Sequence, residues 1–154
     1  MGAGCSCIDD ALEDHQLRHC TASNTLNFLP NVTRAKVVAV YDGDTITVAA
    51  RPARKGQPFL FKVRLAGIDA PEIRGGSIAE KQAALEARDF LRNLTLNKNV
   101  TLSNLEKEKY GRLLANVKHR GRDLSRVLLE CGHAVPYDGG TKPAFSSNPP
   151  RMRE

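Results

Sequence analysis

Two short segments of the 154-residue chain contain closely spaced acidic side chains whose spacing could support chemistry. Asp42 and Asp44 occur in the sequence DGDT, and Asp69 and Glu72 occur in the sequence RLAGIDAPE. Carboxylates gathered at one place repel one another unless a cation neutralises them, and carboxylate oxygens suit hard divalent cations. The pattern supports a metal-site hypothesis, although acids beside a glycine are also typical of an ordinary turn.

Two arginines complete a set of groups that could cut a phosphodiester bond. The transition state of that reaction carries extra negative charge, which the guanidinium groups of Arg64 and Arg112 could stabilise. A carboxylate that orients or deprotonates water is the remaining requirement, and Glu72 could meet it. Each arginine taken alone could instead form a surface ion pair of little energetic value.

The elements that must position these groups are predicted from alternation and capping signals. Strands are expected at 35–40, 45–50, 59–65, 100–105 and 113–118. A capping box that starts at Ser77 begins a helix extending to about residue 95. Asp123 is the expected N-cap of a second helix that ends at Gly132. The order predicts a mainly β (α+β) fold, a five-stranded OB-fold barrel with two helices.

The predicted strand order also states where the polar groups should meet. Asp44 lies at the tip between the first two strands, and Asp69 and Glu72 follow the third. If these strands pair as proposed, the three carboxylates converge at one end of the barrel. Arg64 alternates with Val63 onto the opposite face of its strand and can point toward the same region.

Three blocks of this sequence resemble the signature blocks of the staphylococcal nuclease family. They are DGDT, RLAGIDAPE and the sequence KYGR at 109–112, in the same order and at similar spacing, within about residues 35–137. The resemblance implies a Ca²⁺-dependent endonuclease that hydrolyses DNA and/or RNA with little sequence specificity. It also implies that nucleic acid is the partner and Ca²⁺ the cofactor.

The resemblance implies a role for each matched residue. Asp44, Asp69 and the backbone carbonyl of Ala70 match the Ca²⁺ ligands, with Asp42 as a supporting acid. Ala70 stands where the family often has threonine, but a backbone carbonyl should serve equally well. The residues implied for the remaining roles are Glu72 for activating water, Arg64 and Arg112 for binding the scissile phosphate, and Lys109, Tyr110 and Tyr137 for contacting substrate.

Charge and composition divide the chain into three parts: a flexible leader at 1–33, the barrel domain at 34–138 and a coil tail at 139–154. The formal net charge is +6. Residues 1–34 carry four acids and two arginines, so the remainder carries about +8. A basic domain suits a polyanionic partner, although a merely soluble basic surface is equally common. Within the leader, a short helix over 9–19 is one alternative to coil.

The first residues fit an acylation pattern. Gly2 and Ser6 match the N-myristoylation motif, and Cys5 and Cys7 are adjacent candidates for palmitoylation. Two acyl chains anchor a protein stably, so the expected location is the cytoplasmic face of a membrane. The alternative is an unmodified tail on a cytoplasmic protein. A Gly2→Ala variant with an unchanged membrane fraction would rule out the anchor.

Cysteine usage favours an intracellular protein with reduced thiols, because three of the four cysteines lie in the leader. A zinc site in the leader is a weaker alternative, since its five candidate ligands have poor spacing. They are Cys5, Cys7, His15, His19 and Cys20.

Two other functions compete with nuclease activity. The first is a non-catalytic OB-type module that binds nucleic acid or protein, which would require a groove of stacking aromatics. The chain has no Trp, three Tyr and five Phe, so that feature is weak. The second is a lipid-anchored adaptor whose barrel is only a scaffold. A monomer is expected in each case.

Overall fold

The computed structural model describes residues 6–52, 56–74 and 76–140. The predicted strands and helices are all present, with additional short elements between them. In chain order the elements are α1 (Ser6–Leu17), β1 (Arg34–Asp42), β2 (Thr45–Ala50), β3 (Phe59–Leu65), β4 (Ile68–Asp69), α2 (Ile78–Thr95), β5 (Asn99–Lys107), a 3₁₀ turn (Lys109–Gly111), β6 (Leu113–His119), β7 (Arg122–Asp123), α3 (Leu124–Glu130) and β8 (Val135–Pro136).

Five strands close into a barrel. Their order is β3-β2-β1-β5-β6, and a parallel pairing of β3 with β6 joins the two edges. The other neighbours in this set are antiparallel, and the two-residue strand β7 pairs with β6. This closed mixed barrel with helices confirms the predicted α+β, OB-type fold. Closure also leaves these five strands without a free sheet edge.

The core fills the interior of the barrel because apolar residues alternate along the strands. On β1 and β2, for example, Val37, Ile46 and Val48 are fully buried. Helix α2 adds buried residues at helical spacing, among them Ala87 and Leu91. Other buried members are Val63, Leu65, Leu102, Ala115, Val117, Leu124 and Leu128.

Both predicted helix starts are capped by the expected side chains. At α2, Ser77 Oγ accepts from the Glu80 backbone N–H at 3.2 Å, and Glu80 Oε2 accepts from the Ser77 N–H at 2.6 Å. At α3, Asp123 Oδ1 accepts from the Arg126 N–H at 3.1 Å. These contacts satisfy N–H groups that have no partner inside the helix, and so fix where each helix begins.

The segment before the barrel contains helix α1, which overlaps the helix expected over 9–19 as the alternative to coil. Helix α1 is a third helix in addition to the two predicted for the barrel. Val32 is only 2% exposed and belongs to the core, and the Leu102 N–H donates to the Thr33 carbonyl at 2.9 Å. The packed region therefore begins before β1.

Several predictions concern residues that the structure does not describe. Gly2, Cys5 and most of the tail, residues 141–154, lie outside the described residues, and Cys7 lies in α1 without a described side chain. Acylation of the leader therefore stays a prediction from the sequence. Among the described helices, none combines the length and the hydropathy required to cross a membrane.

Candidate active site

A cleft of about 570 Å³ opens at the end of the barrel where β1 turns into β2. Its walls come from the end of β1 and that turn, Arg64 and the segment after β3, the residues that flank the 3₁₀ turn, helix α2 and the residue after β8. Eight of the ten residues predicted for catalysis, metal binding or substrate contact line it: Asp42, Asp44, Arg64, Asp69, Ala70, Glu72, Arg112 and Tyr137.

The strand register brings Arg64 to Asp44. Thr45, the first residue of β2, lies directly opposite Arg64 on β3, and the Leu65 N–H donates to the Asp44 carbonyl at 2.8 Å. Arg64 Nη2 is 3.2 Å from Asp44 Oδ2 and 2.7 Å from Asp69 Oδ1. One guanidinium nitrogen therefore contacts two carboxylates, and all three side chains are buried to about nine-tenths.

Further contacts fix the orientation of this group. Thr45 Oγ1 donates to Asp44 Oδ1 at 2.8 Å, which leaves the other oxygen for Arg64. The ring of Tyr137 lies over the Arg64 guanidinium, with its centroid 5.3 Å from Cζ. An arginine at this distance from an aromatic face gains a cation–π attraction. Arg64 is thereby held between two acids and a ring.

The segment that carries Asp69 is positioned by a contact distant in sequence. Strands β4 and β8 form a two-residue antiparallel ladder that pairs Asp69 with Val135. The Tyr137 N–H donates to the Gly67 carbonyl at 3.1 Å and continues this pairing. The chain after α3 thus returns to support Asp69 and delivers Tyr137 to the cleft.

The glycine of the DGDT block has a packing reason to lack a side chain. A Cβ added to Gly43 would lie 2.7 Å from the Cβ of Ala87 on α2 and 2.9 Å from that of Ala70. Both distances are shorter than a van der Waals contact between carbons allows. The turn between Asp42 and Asp44 therefore packs directly against α2. This contact fixes the backbone position of the residue between the two acids.

Arg112 is paired with Glu108, an acid for which the sequence predicted no role. Its Nε lies 2.7 Å from Glu108 Oε2, and its Nη2 donates to Glu108 Oε1 at 3.1 Å. The Nε contact is an ion pair and not a hydrogen bond. Neither Nε nor Oε2 has a hydrogen-bond partner within the described structure. Glu108 therefore holds the Arg112 guanidinium in the lining of the cleft.

Lys109 and Tyr110, both predicted substrate contacts, lie outside the cleft lining. They form the 3₁₀ turn between Glu108 and Arg112, and Tyr110 is 93% exposed with a positive φ of 61°. The left-handed region is uncommon for a residue with a side chain. The turn thus presents the Tyr110 ring to solvent.

The two remaining acids of the cleft are more accessible. Glu72 is exposed and Asp42 is half-buried. Burial, and then the negative charges of Asp44 and Glu72, raise the pKa of Asp42 above its usual value of 3.8, against smaller opposing effects of Arg112 and Arg74. The carboxylates of Asp42, Asp44 and Glu72 therefore lie close enough to repel one another at the mouth of the cleft.

The donor chemistry at Asp44 and Asp69 suits a hard divalent cation. Both buried carboxylates converge on one nitrogen of Arg64, and Ala70, whose carbonyl is the third expected ligand, is buried next to Asp69. Within residues 6–52, 56–74 and 76–140, no three or more His, Cys, Asp or Glu side chains are arranged to hold a metal ion. The predicted ligand set has two side-chain carboxylates and one backbone carbonyl, so it contains fewer than three such side chains.

Sequence reasoning missed three arginines of the cleft wall: Arg74, Arg88 and Arg92. Arg88 and Arg92 lie one helical turn apart on α2, so they share a face of the helix. That spacing was visible in the sequence. The sequence did not show that this face of α2 is the one that lines the cleft.

The fold and the cleft define an OB-type barrel with a charged site at one end, and sequence comparison assigns the chain to a family. The sequence profile of the family described as staphylococcal nuclease homologue matches residues 62–152. The match spans more than half of the chain. The protein belongs to the staphylococcal nuclease homologue family.

Individual relatives carry endonuclease names. The chain is 38% identical over 86 residues to a probable endonuclease of Schizosaccharomyces pombe, covering 51% of this chain and 37% of that protein. It is 31% identical over 104 residues to an uncharacterized endonuclease of Escherichia coli O157:H7, covering 67% and 60%. A similar protein of Haemophilus influenzae is 32% identical over 102 residues, covering 66% and 51%. The chain spans 37% to 60% of these relatives' lengths.

Proposed function

We propose that this protein is an endonuclease that hydrolyses phosphodiester bonds of DNA or RNA in the cleft, with Ca²⁺ as cofactor and little sequence preference. The observation that carries the proposal is the convergence of Asp44, Arg64, Asp69, Glu72 and Arg112 on one cleft. Membership of the nuclease family and the endonuclease names of the relatives support it. Contacts to phosphate carry no base information, which is why weak sequence preference is expected.

Each side chain has a chemical task in this proposal. Arg64 and Arg112 bind the non-bridging oxygens of the scissile phosphate and stabilise the charge that develops on them. Glu72 accepts a proton from a water molecule. The oxygen of that water bonds to phosphorus while the bond from phosphorus to the leaving sugar oxygen breaks, and solvent protonates the leaving oxygen.

Asp44, Asp69 and the Ala70 carbonyl are the residues that would hold the cation. When bound there, Ca²⁺ would polarise the phosphate and add positive charge to the site. Asp42 would add negative charge near the metal. Tyr137 would hold Arg64 in place through its ring, and Lys109 and Tyr110 would contact the substrate at the rim of the cleft.

A cleavage assay tests the proposal with single-stranded DNA and RNA in the presence of Ca²⁺, Mg²⁺ or EDTA. We expect cleavage with Ca²⁺ that EDTA abolishes. Arg112→Ala should reduce kcat by about 10²–10³-fold, the usual cost of removing one preorganised donor. Glu72→Gln should reduce it by about 10²–10⁴-fold, as for a general base.

The ion pair between Arg126 and Glu130 on α3 supplies matched controls outside the cleft lining. Arg126→Ala and Glu130→Gln should keep the wild-type rate, because exposed pairs contribute little. Binding without cleavage under every condition would indicate the non-catalytic module instead. Cleavage that survives EDTA unchanged would refute the metal role.

A further inference from the structure

A second charged region lies on the outer face of the barrel, beside the cleft but outside its lining. Four basic residues form it, and we call them the basic strip: Arg34 and Lys36 on β1, Arg51 after β2 and Lys62 on β3. All four are exposed. Three of them also line a shallow groove of about 860 Å³, whose described lining contains no acidic residue.

The strip shares a sheet face with the cleft. Side chains two residues apart on a strand point the same way, so Leu60, Lys62 and Arg64 project from one side of β3. The buried Val63 and Leu65 occupy the other side. Lys62 therefore follows Arg64 directly along the outer surface.

Cross-strand pairing extends this row over three strands. Lys62 lies opposite Thr47 on β2, and Leu60 lies opposite Ala49. Ala49 in turn lies opposite Lys36 on β1. The small Ala49 side chain lies between Lys36 and Leu60 and leaves space above the sheet. Arg51 directly follows the last residue of β2. The path from Thr45 to Arg51 covers six residues, or about 20 Å.

The four cations of the strip differ from Arg64 and Arg112 of the cleft in having no acidic partner among the described residues. Within the described residues, none of them forms an ion pair or a side-chain hydrogen bond. Residues 34–41, 45–52 and 59–66 contain no Asp or Glu at all. Unpaired, exposed cations in a row that ends at a phosphate-binding site are suited to a polyanion.

We propose that the basic strip binds a nucleic acid single strand that extends from the cleft, so that the enzyme holds its substrate on one side of the cut. This inference rests on the proposed function, because it concerns the strand that the cleft would cleave. The strip crosses three neighbouring strands of one sheet face, and Ala49 and the 69%-exposed Leu60 offer apolar contact between its cations. A path of about 20 Å is consistent with the roughly 4–16 nucleotides that one OB-type domain covers.

Two variants with equal loss of charge test the strip. The strip variant is Lys36→Gln/Arg51→Gln/Lys62→Gln. The control is Lys81→Gln/Arg122→Gln/Arg126→Gln, which changes three exposed residues on α2, β7 and α3. Because both variants lose three positive charges, any difference between them reports position and not net charge.

The readout is the preference for long over short substrate. Cleavage with Ca²⁺ is measured on a dinucleotide and on a single strand of about thirty nucleotides, so that only the long strand can extend along the strip. We expect the ratio of the two kcat/KM values to fall about 10- to 100-fold in the strip variant at ~0.1 M salt, mainly through KM. The slope of log affinity against log salt should decrease by about 2, since each phosphate contact on a single strand contributes about 0.7.

The outcomes separate this inference from the proposed function. If the wild type cleaves neither strand, the proposed function fails, and the strip is then tested by fluorescence anisotropy of the long strand in EDTA. If the strip and control variants show the same ratio of kcat/KM values and the same salt slope, the strip inference is wrong. The proposed nuclease function is unaffected by that result. Loss of binding to phosphatidylserine-containing vesicles with unchanged oligonucleotide binding would also overturn it, in favour of a lipid surface.

Discussion

Arg64 and Lys62 are two residues apart on one face of β3, yet their surroundings are opposite. Arg64 is 8% exposed and touches two carboxylates and an aromatic ring. Lys62 is exposed and has no ion-pair partner among the described residues. The segments after β3 and β8 cover Arg64, whereas nothing described covers Lys62.

The difference shows how one sheet face can serve two purposes. A buried charge interacts strongly with its partners, and removing one partner leaves the others desolvated. An exposed charge is screened by solvent and salt, so it contributes little to stability and acts on a ligand mainly together with its neighbours. The cleft is therefore expected to depend on single residues, and the basic strip on their number.

The largest expected effect is on stability at Arg64. Arg64→Ala removes the guanidinium that Asp44 and Asp69 share, and should lower the free energy of unfolding by about 3–5 kcal/mol. Lys62→Ala, the matched control on the same strand, should change it by less than about 0.5 kcal/mol. Urea unfolding in EDTA measures both. Similar values for the two variants would contradict the proposed difference in environment.

A second prediction concerns the cation. Ca²⁺ that binds only the folded protein stabilises it by about 2.7 kcal/mol at a concentration 100 times its Kd. We expect thermal unfolding of the wild type to shift upward with Ca²⁺, and the shift to vanish in Asp44→Asn/Asp69→Asn. The strip variant should keep the shift. A shift that survives in the doubly substituted cleft variant would place the cation elsewhere.

A smaller effect is expected at Gly43. Gly43→Ala introduces a Cβ 2.7 Å from that of Ala87, and overpacking of this kind costs about 1–3 kcal/mol. Because the turn carries Asp42 and Asp44, activity should fall as well. Ala87→Gly serves as the partner in a double-mutant cycle, since it removes the atom that the new Cβ would meet. Strictly additive effects would show that the two positions do not touch.

The sequence predicted the main elements well because their signals are local. The predicted bounds of β2 and β3 match the structure, and the capping residues Ser77 and Asp123 begin their helices as expected. Asp44 and Arg64 could be placed together because the hairpin pairing of β2 and β3 follows from alternation alone. Local patterns are strong where each segment's preference agrees with the final fold.

The missed features depend on contacts that alternation and helical spacing do not encode. The ladder of β4 and β8 is two residues long on each side, too short for an alternation signal, and it joins segments more than 60 residues apart. The pairing of Glu108 with Arg112 spans a turn that is not α-helical, so i,i+4 spacing did not predict it. The contact of Gly43 with α2 required knowing how the helix packs on the barrel.

The smallest effect that separates the cleft from the strip concerns Asp42. Its pKa is raised from 3.8 mainly by burial, so the folded state holds the charged form less well than the unfolded state does. The protonated Asp42 carboxyl therefore contributes stability that is fully present below about pH 3.8. This contribution is lost as pH rises through the higher pKa of the folded state. Asp42→Asn does not titrate and should therefore be slightly more stable than wild type at pH 7, with the difference shrinking as pH falls toward 3.8. Urea unfolding across this pH range measures it, and a variant less stable at pH 7 would show that Arg112 and Arg74 outweigh the desolvation of this acid.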